Sequence, residues 1–151
     1  MAPGKRIFKT MAAVILSMMC MAMFVSQANA EIKITIKNNK SHNLSFAFRW
    51  LGFDMPDDKV KGWYSVPAGQ TKTFTFDVAY ALTASGFGYY AQGGGKTWRG
   101  DLEGWIHPKS KFSGNLHEMP SGMKKVGYRV IKLRQTSDDR VNGAATITFG
   151  P

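Results

Sequence analysis

Cysteine is almost absent from this sequence: the only one among 151 residues, Cys20, lies close to the N-terminus. Residues 31–151 contain none, which excludes disulfide bonds, cysteine nucleophiles and thiolate metal sites from that part of the chain. No stretch has a sustained 3.6-residue period, which argues against a helical bundle. The part after residue 30 must therefore be held together by a packed core, and its length of 121 residues is sufficient for one.

The first thirty residues have the three parts of a secretory signal peptide. They begin with three cations and no acid, namely Lys5, Arg6 and Lys9. Residues 11–25 form an apolar run of about 15 residues, shorter than the roughly 20 that span a bilayer as a helix. An Ala-x-Ala sequence ends the segment at Ala30. We therefore expect cleavage after residue 30 and export by the general secretory route to the periplasm or beyond. The mature chain, 31–151, should carry no transmembrane anchor.

The mature chain has a strong excess of positive charge. The leader holds three of the 20 basic residues and none of the ten acids, so residues 31–151 carry 17 basic and ten acidic side chains, a net charge of +7. Such a field attracts anions with little sequence preference. Outside the cytoplasm the expected partners are an envelope glycan, an anionic surface polymer or a protein, and the expected location disfavours nucleic acid.

Apolar and polar residues alternate along most of the mature chain, which is typical of half-buried β-strands. Phe46 and Phe48 alternate with polar or small residues, and so do Phe74 and Phe76; with Trp98, these are expected core residues. Turn residues separate the strands at short spacing. The sequence predicts one all-β domain, a single antiparallel β-sandwich or partly open barrel. Its eight or so strands lie near 32–36, 44–50, 62–66, 72–78, 87–91, 97–106, 126–133 and 144–149.

Several short segments also resemble a known family. The most specific are Gly62-Trp63-Tyr64, Tyr89-Tyr90-Ala91, Trp98-Arg99-Gly100 and Gly127-Tyr128-Arg129-Val130-Ile131. In this order they resemble the bacterial family known as domain of unknown function 1036, over nearly all of residues 32–149. The resemblance implies a small exported β-domain and implies no activity, so it supplies no catalytic residues. Members usually carry cysteines, which residues 31–151 lack.

No motif predicts a cofactor or a metal site. The glycines at 93–95 precede Lys96 and Thr97, but Tyr90 stands where a phosphate loop needs another glycine, and the following residues favour a strand. A hairpin turn is the better interpretation. The three histidines lack the spacing of zinc ligands.

One candidate binding site comes from strand geometry, because successive side chains of a strand point to opposite faces. If residues 98–107 form one strand, its core face carries Trp98, Gly100, Leu102, Gly104 and Ile106. The outer face then carries Arg99, Asp101, Glu103, Trp105 and His107. A sugar ring could stack on Trp105 while Arg99, Asp101 and Glu103 bind its hydroxyl groups. The alternative is an ordinary solvated face with Trp105 under a loop.

The sequence thus favours an exported, non-enzymatic binding module whose ligand-binding residues are Arg99, Asp101, Glu103 and Trp105. A second hypothesis is a small envelope hydrolase of glycosidase type, with Asp101 and Glu103 as paired carboxylates. Such a pair needs two different environments to separate its acid and base roles, and one exposed strand provides no obvious difference. The binding hypothesis is therefore preferred.

Overall fold

The computed structural model describes residues 30–50, 59–78, 86–134 and 141–151, and these form an all-β fold. No helix occurs in the described ranges, so none of them contains a helix long and apolar enough to cross a membrane. Residues 1–29 of the predicted leader lie outside these ranges, and cleavage after residue 30 stays a prediction. The ten strands are β1 (Ala30–Asn38), β2 (Leu44–Trp50), β3 (Lys59–Val66), β4 (Thr71–Val78), β5 (Phe87–Gly93), β6 (Lys96–Trp98), β7 (Leu102–Ile106), β8 (Phe112–Asn115), β9 (Lys124–Val130) and β10 (Val141–Phe149).

The count exceeds the expected eight for two reasons. Strand β8 was not anticipated, and the strand expected over 97–106 is two strands, β6 and β7. After Trp98, the last residue of β6, the chain stops pairing with β5 and crosses close to β9. There the Gly100 N–H donates to the Gly127 carbonyl oxygen at 3.3 Å. A Cβ on Gly127 would lie only 1.8 Å from the Gly100 oxygen, so the two backbones need glycine there.

A small sheet has the strand order β10-β1-β4. The central strand β1 runs antiparallel to β4 and parallel to β10, and the second pairing departs from the antiparallel prediction. Its inward side chains, Ile32, Ile34 and Ile36, are buried, and the polar side chains between them face solvent. The alternation in the sequence therefore predicted both faces of this strand correctly.

The large sheet has the order β7-β9-β5-β2-β3-β8, and β6 pairs with the remaining part of β5. This sheet is antiparallel and curls into a half-barrel, so that β7 and β8 at its two ends come together across the curl. Strands β2 and β5 lie in the middle and are buried almost throughout. Each of these strands therefore supplies side chains to two different cores.

The first core fills the space between the two sheets. Phe46, Phe48 and Phe76 are buried in it, as predicted. Phe74 and Trp98 were also expected to be core residues; both are only partly buried, although they pack against this cluster. Most of the aromatic rings meet at edge-on or tilted angles, a geometry that stabilises aromatic pairs beyond the area that they bury.

The second core fills the inside of the curl. Ala47, Val60, Tyr90 and Tyr128 are buried there, together with Trp105, Ile106 and Phe112. The Tyr128 hydroxyl donates to the Trp105 carbonyl oxygen at 2.8 Å, and burial raises the pKa of this phenol well above its ordinary value. Tyr128 therefore remains a neutral donor that connects β9 to β7.

The turn between β5 and β6 matches the predicted hairpin. Gly94 and Gly95 both have positive φ, of 54° and 73°, which glycine adopts without a steric penalty. A Cβ on Gly94 would also lie within 2.4–2.7 Å of the His42 ring. The three glycines therefore serve a tight turn, and the segment continues as a strand rather than as a phosphate-binding helix.

Candidate functional site

The structure separates the four residues of the predicted binding stripe. Arg99 and Asp101 lie in the link between β6 and β7, both exposed, whereas Glu103 and Trp105 lie on β7. The prediction assumed one continuous strand, and the crossing at Gly100 interrupts it. Arg99, Asp101, Glu103 and Trp105 therefore do not form a single flat stripe.

Trp105 is buried, with 2% of its surface exposed, so the prediction of a sugar-stacking platform at this residue is wrong. The curl of the large sheet places β8 over the face that was expected to be open. The indole Nε1 donates to the Asn115 carbonyl oxygen at 3.1 Å, and the ring lies 5.6 Å from that of Phe112. A Cβ on Gly114 would lie 2.7 Å from the indole, so this glycine leaves room for the ring. Trp105 is a core residue of the second cluster.

Glu103 and Trp105 nevertheless line the same cavity, at one end of the curled sheet. We call it the Arg49 cavity; its volume is about 480 Å³. Within the described part of the chain its lining residues are Arg49, Glu103, Gly104, Trp105, Leu116, His117, Met119 and Lys125. Neither Arg99 nor Asp101 is among them.

Arg49 is the most unusual residue of this cavity, because it is a cation with only 5% of its surface exposed. It lies on β2, where Phe48 and Trp50 point into the first core and Arg49 points the other way. Its Nη1 donates to the Glu103 carbonyl oxygen, which connects the middle of the sheet to β7. A charge removed from water is costly unless hydrogen bonds and opposite charge compensate it. The guanidinium also lines the cavity, so an anionic group bound there would lie next to its positive charge.

The rim of the cavity carries an ion pair. Lys125 lies directly across from Trp105 in the β7–β9 pairing, and its Nζ is 2.8 Å from a carboxylate oxygen of Glu103. The hydrogen bond and the charge of Lys125 lower the pKa of Glu103, and the charge of Arg49 lowers it further. Both partners are exposed, so the pair contributes little to stability. Its effect is to keep Glu103 ionised next to the cavity.

Among the described lining residues of this cavity the charges sum to a positive value. Arg49 and Lys125 are cationic and Glu103 is anionic, and the imidazole of His117 lines the same cavity. Trp105, Leu116 and Met119 form an apolar wall beside them, and Met119 is half exposed. The arrangement suits a ligand with one anionic group and an adjoining apolar part.

Metal binding has no support among the described residues, which contain no group of three or more His, Cys, Asp or Glu side chains able to hold an ion. The hydrolase hypothesis needs two carboxylates with separated pKa values near one substrate. Glu103 has a lowered pKa, and Asp101 lies outside the cavity. Neither observation favours Glu103 or Asp101 as a general acid.

Sequence reasoning missed Arg49, Lys125 and His117. Arg49 falls on the face of β2 expected to point to solvent, and only the order of strands shows that this face is covered. One signal was present: β2 reads LSFAFRW, and its apolar Ala47 falls on the face that the alternation assigned to solvent.

No family model matches the chain, and no curated protein is significantly similar to it. The resemblance to domain of unknown function 1036 therefore stays a prediction. The assignment of function depends on the geometry of the site itself.

Proposed function

We propose that this protein is an exported, non-enzymatic binding module that holds an anionic group of an envelope ligand in the Arg49 cavity. The observation that carries the proposal is a nearly buried guanidinium lining an open cavity of about 480 Å³. Electrostatic attraction is stronger in such a partly desolvated place than at a fully exposed lysine. A phosphate or carboxylate that reaches Arg49 gains charge-assisted hydrogen bonds from a planar donor.

The charge distribution supports an anionic ligand. Residues 31–151 carry 17 lysine and arginine residues against ten aspartate and glutamate residues, a net charge of +7. This excess raises the local concentration of anions around the protein and increases their rate of encounter. An acidic glycan or another anionic surface polymer matches both this field and the predicted destination of the chain.

Export is the first testable part of the proposal. Sequencing of the N-terminus of protein recovered from outside the cytoplasm should start at Glu31, because the Ala-x-Ala sequence ends at Ala30. A start more than a few residues away, or protein retained whole in the cytoplasm, would contradict the leader prediction.

Anion binding is the second part, and Arg49→Lys tests it. Lysine keeps the positive charge but lacks the planar guanidinium group, which can donate two parallel hydrogen bonds to one anion. The Kd for inorganic phosphate should therefore rise about tenfold. Isothermal titration calorimetry of the purified protein at low ionic strength measures this change. Thermal unfolding of the variant, run in parallel, verifies that it is folded.

Two lysines on β9 provide a matched pair for the same titration. Lys125 lines the cavity and its neighbour Lys124 is exposed and does not. Lys125→Gln should weaken phosphate binding more than Lys124→Gln, although both remove one positive charge. Equal losses in the two variants would mean that phosphate senses only the overall field of the protein.

A further inference from the structure

A second cleft lies where β3 pairs with β8, and it shares no described lining residue with the Arg49 cavity. Its volume is about 410 Å³. The side chains that line it combine aromatic rings, two ammonium groups and a hydroxyl: Lys61, Trp63, Tyr64, Lys111, Phe112 and Ser113. We call it the β3–β8 cleft.

Trp63 and Tyr64 both line this cleft, and they lie at a bulge in β3. In the pairing with β2, Tyr64 lies opposite Phe46 and Gly62 lies opposite Ala47, so Trp63 is an extra residue without a partner. Consecutive residues of a regular strand point to opposite faces, and a bulge changes the direction of one of them. Here Trp63 packs against the second core and Tyr64 against the first, and the cleft contacts both residues.

Both rings are held firmly and remain half-buried rather than fully enclosed. The Trp63 Nε1 donates to the His107 carbonyl oxygen at 2.9 Å, and its ring lies 5.8 Å from that of Phe112. The Tyr64 ring packs 5.1 Å from Phe74. Aromatic surface that is already fixed in place costs little entropy when a ligand binds.

The cleft is also electropositive. Lys61 and Lys111 are exposed, and neither forms an ion pair in the described part of the chain. No described carboxylate lines the cleft. The two strands place the cations close together, since Lys61 pairs with Ser113 and Phe112 pairs with Gly62.

We infer that the β3–β8 cleft is a second binding site, independent of the Arg49 cavity, whose ligand is an acidic sugar unit of a glycan. The carbon–hydrogen face of a pyranose ring is slightly positive and stacks on the negative face of Trp63, while Tyr64 contacts the sugar from the other side of β3. A uronate carboxylate or a sulfate of the same glycan then pairs with Lys61 and Lys111. A single-stranded nucleic acid fits less well, because it needs a basic groove that follows several phosphates, whereas this cleft is short.

Titration with a short oligogalacturonate tests the inference, using two double variants of the purified protein. Lys61→Gln with Lys111→Gln removes the two cations that line the cleft. Lys59→Gln with Lys109→Gln removes two exposed cations from the same strand and the same loop, and neither of these lines the cleft. Both double variants lose two positive charges. A difference between their Kd values therefore reports the position of the lysines and not the net charge of the protein.

The first double variant should raise the Kd for oligogalacturonate about tenfold, and the second should raise it by no more than about threefold. The fully methyl-esterified oligosaccharide, which keeps the rings and loses the charge, should bind the unaltered protein more weakly than the acid does. Equal losses in the two variants overturn the inference. So does absence of oligogalacturonate binding, or binding of the ester as tight as that of the acid.

Trp63→Phe tests the stacking independently of the lysines. Phenylalanine retains an aromatic ring against Phe112 and Tyr90 but offers a smaller face, so binding of the acid and of its ester should both weaken several-fold. Unchanged binding of both sugars, in a variant whose thermal unfolding is near that of the parent, contradicts a stacked ring. A single-stranded oligonucleotide that competes with labelled oligogalacturonate at a lower concentration than unlabelled oligogalacturonate does would identify nucleic acid as the ligand and overturn the inference.

Discussion

Replacing Phe48 with alanine should lower the free energy of unfolding by about 3–5 kcal/mol. Phe48 is fully buried in the first core. Its removal leaves a cavity lined by apolar side chains, which offer a water molecule no hydrogen bonds. Five aromatic rings lie with their centroids 5.0–6.2 Å from it, those of Phe46, Tyr64, Phe74, Phe76 and Phe87. One of these contacts is stacked and four are edge-on or tilted, and all five disappear together with the buried area.

Urea denaturation of the parent and the variant measures this loss, with Thr75→Ala as the control. Thr75 lies on the exposed face of β4, so its replacement should change the free energy of unfolding by less than about 0.5 kcal/mol. A loss below about 1 kcal/mol for Phe48→Ala would mean that the two sheets do not pack through this ring.

Replacing Trp105 with alanine should cost about 3–5 kcal/mol of unfolding free energy. The binding site that the sequence pattern predicted required Trp105 to be exposed. In the structure the indole is 2% exposed, and it connects β7 to β8 through its hydrogen bond to Asn115. The substitution therefore opens a cavity and leaves the carbonyl of Asn115 without this donor.

Two variants separate these contributions in the same denaturation experiment. Trp105→Phe keeps most of the apolar ring and loses the hydrogen bond, so it should cost less than Trp105→Ala. Glu103→Gln changes an exposed side chain on the same strand and should stay within about 0.5 kcal/mol. A fully stable Trp105→Ala variant would contradict the closure of the sheet over this residue.

Local alternation was sufficient to predict the faces of strands that have one solvated side. On β1 and β4 the apolar side chains recur at every second position, and the pattern agrees with the burial of Ile34 and Phe76. The period of two is a property of the strand itself, so it does not depend on knowing the neighbouring strands. The class of fold followed from many such short strands.

The curl of the large sheet could not be predicted in the same way. Whether Trp105 is covered depends on β8, which a non-local arrangement of strands brings across the curl. The break after Trp98 depends on a backbone contact between Gly100 and Gly127, which are far apart in the sequence. The parallel pairing of the first and last strands is equally non-local.

Only part of the candidate site could be predicted from the sequence, because the rest of it also depends on non-local pairing of strands. Glu103 and Trp105 were selected from the strand pattern and do line the cavity, although Trp105 does so as a buried wall. Arg49 comes from β2 and Lys125 from β9, and only the pairing of strands brings them to β7. Charge alone did not distinguish these two cations from the other basic residues.

The most direct test of the central claim is to locate bound phosphate by NMR. The backbone amide signals of the ¹⁵N-labelled protein are followed while inorganic phosphate is added at constant ionic strength. If phosphate binds in the Arg49 cavity, the largest saturable chemical-shift changes should occur at the amides of Glu103, Trp105, Leu116 and Lys125. Shifts that are small, do not saturate and spread over all exposed lysines would contradict a specific anion site.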